Sequence, residues 1–252
     1  MQQIIVSLLV SIAGLVACAS KSVPGPPGPL EQPQIKVGES WSYNERNGYN
    51  GLLVNTWVRE VIETEGTNTT LALKAREQTR EAIVDHLDGG LLQEVFPGGQ
   101  TFSYAQPLAV LPLPISPGAS WSQQVRATDL ATGRKTVVSL HGKVRGWEKV
   151  KVPAGEFVAL KVVKDLYLGD DEWWRTQTRR TVVDWYVPEV KWVVKRTTSD
   201  EYRDIARGRD PGFFDNSLIR GDRYVWELTA YQLEKTEDRG QQNRRTGQKT
   251  EN

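Results

Sequence analysis

Alternation of apolar and polar side chains over Arg134–Arg145 constrains this chain more than any other feature. Thr136, Val138, Leu140, Gly142 and Val144 alternate with Lys135, Ser139, His141, Lys143 and Arg145, a period of two that fits an extended strand with one buried and one solvated face. Turn signals then recur at short intervals. Pro153-Ala154-Gly155-Glu156 separates this strand from one over Phe157–Tyr167, and Leu168-Gly169-Asp170-Asp171 relieves that one. Trp173–Val187 runs back, Pro188-Glu189 reverses it into Val190–Tyr202, and Asp222–Leu233 offers a last strand with Tyr224, Trp226, Leu228 and Ala230 on one face. Strands so spaced predict an all-β domain, a single antiparallel, strongly curved sheet, half-barrel or open barrel, of about ten strands with few or no helices.

The first half is written less plainly. Trp41–Arg46, Val54–Thr64 and Thr69–Thr79 read as strands. Residues 71–88 are also good helix formers, with Thr70 as an available N-cap, and the regular alternation over 70–76 decides for strands. Val37-Gly38-Glu39-Ser40-Trp41-Ser42 is echoed by Pro117-Gly118-Ala119-Ser120-Trp121-Ser122, which suggests a two-lobed sheet with related lead-in turns. A loop of even length centred on Pro188-Glu189 would set Val187 against Val190, Trp185 against Trp192 and Val183 against Val194, making one wholly apolar face.

The N-terminus carries an address. Ile4–Val16 is an apolar run too short to span the ~30 Å hydrocarbon core as a helix but suited to the h-region of a secretory signal. It closes on Leu15-Val16-Ala17-Cys18, and Cys18 is the one cysteine of the 252 residues. This stretch resembles the lipobox of bacterial lipoproteins, which implies a signal peptide over 1–17, acylation of Cys18 and anchorage to a bilayer. Ala19, where an Asp would imply inner-membrane retention, favours the outer membrane facing the periplasm. Residues 19–34 hold five prolines and two glycines and read, with Cys18, as a Pro/Gly-rich tether over 18–34. The β domain is then 35–235, and the polar residues 236–252 read as a disordered tail.

Lys151-Val152-Pro153-Ala154-Gly155-Glu156-Phe157, followed by Asp184-Trp185-Tyr186-Val187-Pro188-Glu189-Val190-Lys191-Trp192-Val193-Val194-Lys195, resembles a group of uncharacterised bacterial periplasmic and lipoprotein domains. Those domains pair a Val-Pro-Ala-Gly-x-Phe turn with a later Trp-Tyr-x-Pro hairpin. The resemblance covers 118–202 best and implies a curved antiparallel sheet, broadly similar to the half-barrel of the lipoprotein carriers LolA and LolB. These are turn motifs and speak of fold, not of activity.

Chemistry is sparse. The two histidines, His86 and His141, read as solvated residues of a turn and of a wet strand face. No nucleophile elbow, zinc spacing or phosphate loop occurs, so no catalytic residue, metal ligand or cofactor is nominated. Asp170-Asp171-Glu172 reads as a hairpin tip, and Asp200, Glu201 and Asp204 as ion-pairing partners of nearby arginines. A formal charge of +1 excludes a chain-wide basic field for nucleic acid. Nine tryptophans against five phenylalanines point to contact surfaces. Trp173 and Trp174, adjacent and therefore not both on one strand face, and Phe213 and Phe214, in the long connection over 202–220, are the candidate ligand- or partner-binding residues. The reading is a non-enzymatic lipid-anchored envelope protein binding an apolar ligand or an envelope protein on a curved sheet. A structural or assembly subunit with a fully packed sheet is the alternative, and a hydrolase of envelope polymers the third.

Overall fold

The computed structural model describes residues 23–66, 68–75, 79–86, 90–95, 101–205 and 218–234. They form twelve strands: β1 (Ser40–Asn47), β2 (Leu53–Glu65), β3 (Asn68–Ala75), β4 (Thr79–His86), β5 (Gly90–Val95), β6 (Thr101–Ala109), β7 (Ser120–Asp129), β8 (Lys135–Val152), β9 (Gly155–Tyr167), β10 (Arg179–Val187), β11 (Trp192–Arg203) and β12 (Leu218–Gln232). Every strand pairs antiparallel with its chain neighbour, so the curved antiparallel sheet expected from the alternation is what forms. β1 also pairs with β12, from Ser40 against Gln232 to Asn47 against Tyr224, and this joins the sheet's two ends into a closed barrel. The half-barrel or open-barrel expectation lacked this pairing, because no local pattern announces that strands so far apart in the chain are neighbours. The stretch open to a helical reading is β3 and β4.

Alternation decides burial where it is regular. Val138, Leu140 and Val144 of β8 are buried while Lys135, His141, Lys143 and Arg145 are exposed. The main core gathers Trp41, Leu71, Leu73, Leu108, Leu140 and Leu228 with their neighbours. A second cluster gathers Val144, Trp147, Leu160, Val162 and Tyr186 under Leu30 and Ile115.

Leu30 belongs to the segment expected to be a tether. Only 8% of it is exposed, and it exchanges backbone hydrogen bonds with Ile115, N–H to O at 2.7 Å and 3.1 Å. Upstream, the Val23 amide donates to the Trp147 carbonyl at 3.0 Å. Gly25 lies so close to the Trp147 indole that an added Cβ would stand 2.1 Å from the ring. β7 reaches β8 only as far as Ser120 against Lys143, and the segment over 23–30 covers part of the β8 edge left open beyond. From Val23 onward the proline-rich stretch is a docked strap rather than a solvated tether, because Leu30 is apolar and the second cluster has a place for it.

Two details of register matter. The β10–β11 loop takes Pro188–Val190 as a 3-10 turn and Lys191 in the left-handed region at φ 60°, so Val187 opposes Trp192 and, past a bulge, Trp185 opposes Lys195. The expected Trp185–Trp192 pair therefore does not form. Trp192 stacks on Trp41 instead, with ring centroids 5.1 Å apart. The repeated lead-in is realised in three dimensions: Gly38 and Gly118 have φ of 87° and 85°, their amides donate to Val61 and Val144, and each is followed by a strand beginning at Ser40 or Ser120.

Candidate functional site

Two places concentrate polar or aromatic groups beyond what packing needs. The first is buried. Cross-strand pairing sets Lys164 of β9 beside Val182 of β10, and Asp184 of β10 opposite Arg196 of β11. The Lys164 ammonium donates to Asp184 at 2.7 Å, and Arg196 donates twice, at 2.7 and 2.9 Å. Burial by itself would raise the Asp184 carboxyl, but Arg196 and Lys164 override it and hold the group well below the usual carboxylate range. Nearby on β1, Glu45 accepts the indole N–H of Trp57 at 2.6 Å and of Trp226 at 3.2 Å. Burial raises the Glu45 carboxyl, with the two indole bonds pulling the other way. Tyr43, Arg59, Trp192, Val193, Arg196 and Trp226 line a cavity of about 20 Å³, room for about one water and far below the ~300 Å³ at which small-molecule pockets begin. Here charges neutralise one another inside the barrel, and this cavity itself is too small for a substrate.

The second place is one end of the barrel. Antiparallel order sends the β1–β2, β7–β8, β9–β10 and β11–β12 connections to the same end. Hydrogen bonds link them in sequence: Tyr49 Oη donates to the Gly221 carbonyl at 2.8 Å, Ile205 N–H to Trp174 O at 2.8 Å, Arg134 to Glu172 at 2.8 Å, and Leu130 N–H to Thr101 O at 2.9 Å. The tips are apolar: Tyr49, Leu52, Leu130, Trp173, Ile205 and Leu218 are all exposed. Trp173 is the most exposed, at 77%.

Trp173 stands on a scaffold built residue by residue. Glu172 and Arg175 exchange backbone bonds at 3.1 Å, which makes Trp173-Trp174 the two-residue tip of a small hairpin. Asp170 holds the base. Its carboxylate accepts the Thr178 amide at 2.5 Å, the Thr178 hydroxyl at 2.7 Å and Arg175 at 2.9 Å. These bonds overcome burial and lower the Asp170 carboxyl below its ordinary value. Trp174 turns inward and meets Tyr202 edge to face at 5.9 Å, while the Arg175 guanidinium lies 5.4 Å over Trp174 and 5.0 Å over Tyr202. The two adjacent tryptophans stand on a hairpin tip rather than on a strand, before β10 begins at Arg179; one is packed and the other is exposed to solvent. Cys18, Phe213 and Phe214 lie outside the described residues.

One constellation escaped sequence reading. Ser122, His141 and Asp165 stand in a row across β7, β8 and β9, with Ser122 Oγ 2.9 Å from His141 Nδ1. Cross-strand register was the missing signal. The row lies on an exposed sheet face whose amides point along the sheet toward neighbouring strands, so nothing is aimed at the oxyanion an acyl transfer would form. Asp165 is also turned to Arg179 and Thr181. Among the described residues, no three His, Cys, Asp or Glu side chains gather as metal ligands.

No protein-family model matches the chain, and no curated protein does. The solved structures similar to it include the following three. One is a Bacteroides fragilis protein described as exported and of YmcC-like fold, at 14% identity and TM-score 0.49, covering 81% of this chain and 100% of its own. Another is a Parabacteroides distasonis protein described as a lipoprotein, at 13% and 0.43, with 81% and 100% covered. The third is the lipoprotein YmcC of Escherichia coli, at 12% and 0.41, with 76% and 84% covered.

Proposed function

We propose that this protein is a lipid-anchored, non-enzymatic component of the bacterial cell envelope that docks a protein partner through the apolar loop end of its barrel. The observation that carries the reading is Trp173, 77% exposed on a scaffold of hydrogen bonds that fixes its position. The hairpin fixes the backbone that carries this indole, so little main-chain entropy is lost when a partner covers it. Truncating an anchor of this kind costs about 2 kcal/mol or more of binding free energy. Tryptophan anchors of this kind dominate protein interfaces. The lipobox-like Leu15-Val16-Ala17-Cys18 supports the envelope location, with the outer membrane's periplasmic face favoured by Ala19. Phe213 and Phe214, which fall between β11 and β12 in the chain, remain candidate partner-binding residues in this reading.

Photo-crosslinking amino acids placed singly at Leu52, Leu130 and Trp173, with Gln124 of β7 as an outer-face control, test the proposal in living cells. The rim positions should yield one shared adduct of discrete protein mass that Gln124 does not. Adducts to lipid alone, or an adduct equally strong from Gln124, would overturn it.

A further inference from the structure

The strap fixes where the chain meets its membrane. Val23 is bonded to the carbonyl of Trp147, late in β8, and stands five positions after Cys18. Five residues reach at most ~18 Å when fully extended, and as a flexible segment about 12 Å. With Cys18 acylated, as the proposed function assumes, β8 near Trp147 is held about one Debye length from the bilayer surface. The loop end, at the far end of β8 beyond Lys135, points away.

The residues around this exit are cationic. Lys143, Arg145, Lys149 and Lys151 of β8 are all exposed. Lys151 has Glu156 at 3.5 Å, whereas Lys143, Arg145 and Lys149 have no ion-pair partner among the described residues. Arg145 sits at the bulge between Val144 and Gly146, which turns the strand so that cations are exposed on both sides of the strap's exit. Glu148, the acidic residue among them, is already engaged by Lys161 and by the Trp185 indole. Unpaired cations bordering the point where an acylated chain leaves the fold are complementary to a phosphate-bearing surface, and one lipid signal combined with basic residues is a recognised way of fixing a protein on a bilayer.

We infer that Lys143, Arg145 and Lys149 form a bilayer-facing contact that binds anionic phospholipid headgroups, so that the barrel stands on its strap end and presents Trp173 away from the membrane. Each such cation is worth about fivefold in occupancy at the surface of an anionic membrane, the equivalent of ~1 kcal/mol.

The test uses the full acylated chain, reconstituted in phosphatidylcholine vesicles with and without three-tenths phosphatidylglycerol. The rate at which a water-soluble amine-acylating reagent labels each lysine is read by mass spectrometry, with Lys135 of the same strand as internal reference. Lys143 and Lys149 should be labelled about fivefold more slowly, relative to Lys135, on the anionic vesicles, and high salt should restore their rates. A chain carrying Arg145→Gln should lose part of this protection. Equal relative rates on both vesicle types would overturn the inference, as would protection by inorganic phosphate alone in detergent. The same spectra weigh Cys18, so failure of the acylation reading registers separately from failure of the headgroup contact.

Discussion

Replacing Asp184 with Asn tests the claim that the barrel's polar centre is a closed electrostatic unit. The side chains of Lys164 and Asp184 are only 3% and 6% exposed, so the substitution takes the Asp184 carboxylate away from a buried ammonium. Breaking a buried pair by removing one member costs about 3–5 kcal/mol. Arg196 is partly exposed, at 24%, and can turn toward water, which places the expected loss near the lower bound, about 3 kcal/mol. For a domain of this size that is a Tm lower by roughly 6–12 °C. Urea and thermal unfolding at pH 7 measure it directly. A double substitution, Lys164→Met with Asp184→Leu, removes both charges and should recover most of the loss, since a matched apolar pair replaces a buried ion pair at little or no cost. The pH dependence supplies the sign. Because the folded Asp184 carboxyl lies below its unfolded value of about 3.9, its contribution is complete above the unfolded value and fades as pH falls through the folded one. The gap between the native chain and Asp184→Asn should therefore narrow in acid. An Asp184→Asn chain within 0.5 kcal/mol of the native protein at pH 7, a margin typical of surface substitutions, would refute the reasoning.

Three further substitutions address other parts of the account. Leu30→Ala should cost about 2–4 kcal/mol by chemical denaturation, as truncation in a core does, whereas a free tether would register no change. Glu45→Gln should gain stability relative to the native chain as pH rises, because a carboxyl raised by burial favours the folded state only below its folded pKa; parallel Tm profiles between pH 4 and 7 would contradict this. Trp173→Ala should leave Tm within about 1 °C, as exposed surface substitutions do, while weakening the crosslinked partner's affinity on the order of 30-fold, the loss of a 2 kcal/mol anchor.

How much of this was legible in the sequence follows from the range of the interactions involved. The β8 alternation and the Pro153-Ala154 and Pro188-Glu189 turns act within a few residues, and they appear where they were read. The β10–β11 register was missed because Lys191 takes a left-handed conformation that lengthens the loop, with its ammonium held by the buried Glu39 at 2.5 Å, a partner 152 residues away. Trp185 was placed on a wholly apolar face. The structure buries Asp184 fully and leaves Trp185 partly exposed, because Lys164 and Arg196 neutralise a charge that sequence patterning counts as wet. Barrel closure and the strap's docking share this character, for each depends on a surface assembled from distant segments. Trp173 drew notice from its adjacency to Trp174, but the scaffold of Asp170, Arg175 and Thr178 beneath it emerged only from the geometry.

The most direct measurement of the central claim is native mass spectrometry of the full chain extracted from membranes, alongside its Trp173→Ala variant. The account predicts a mature chain beginning at an acylated Cys18, no further apolar guest, and a discrete protein partner that the variant loses. A stoichiometric apolar guest retained by both chains, with no partner in either, would contradict it.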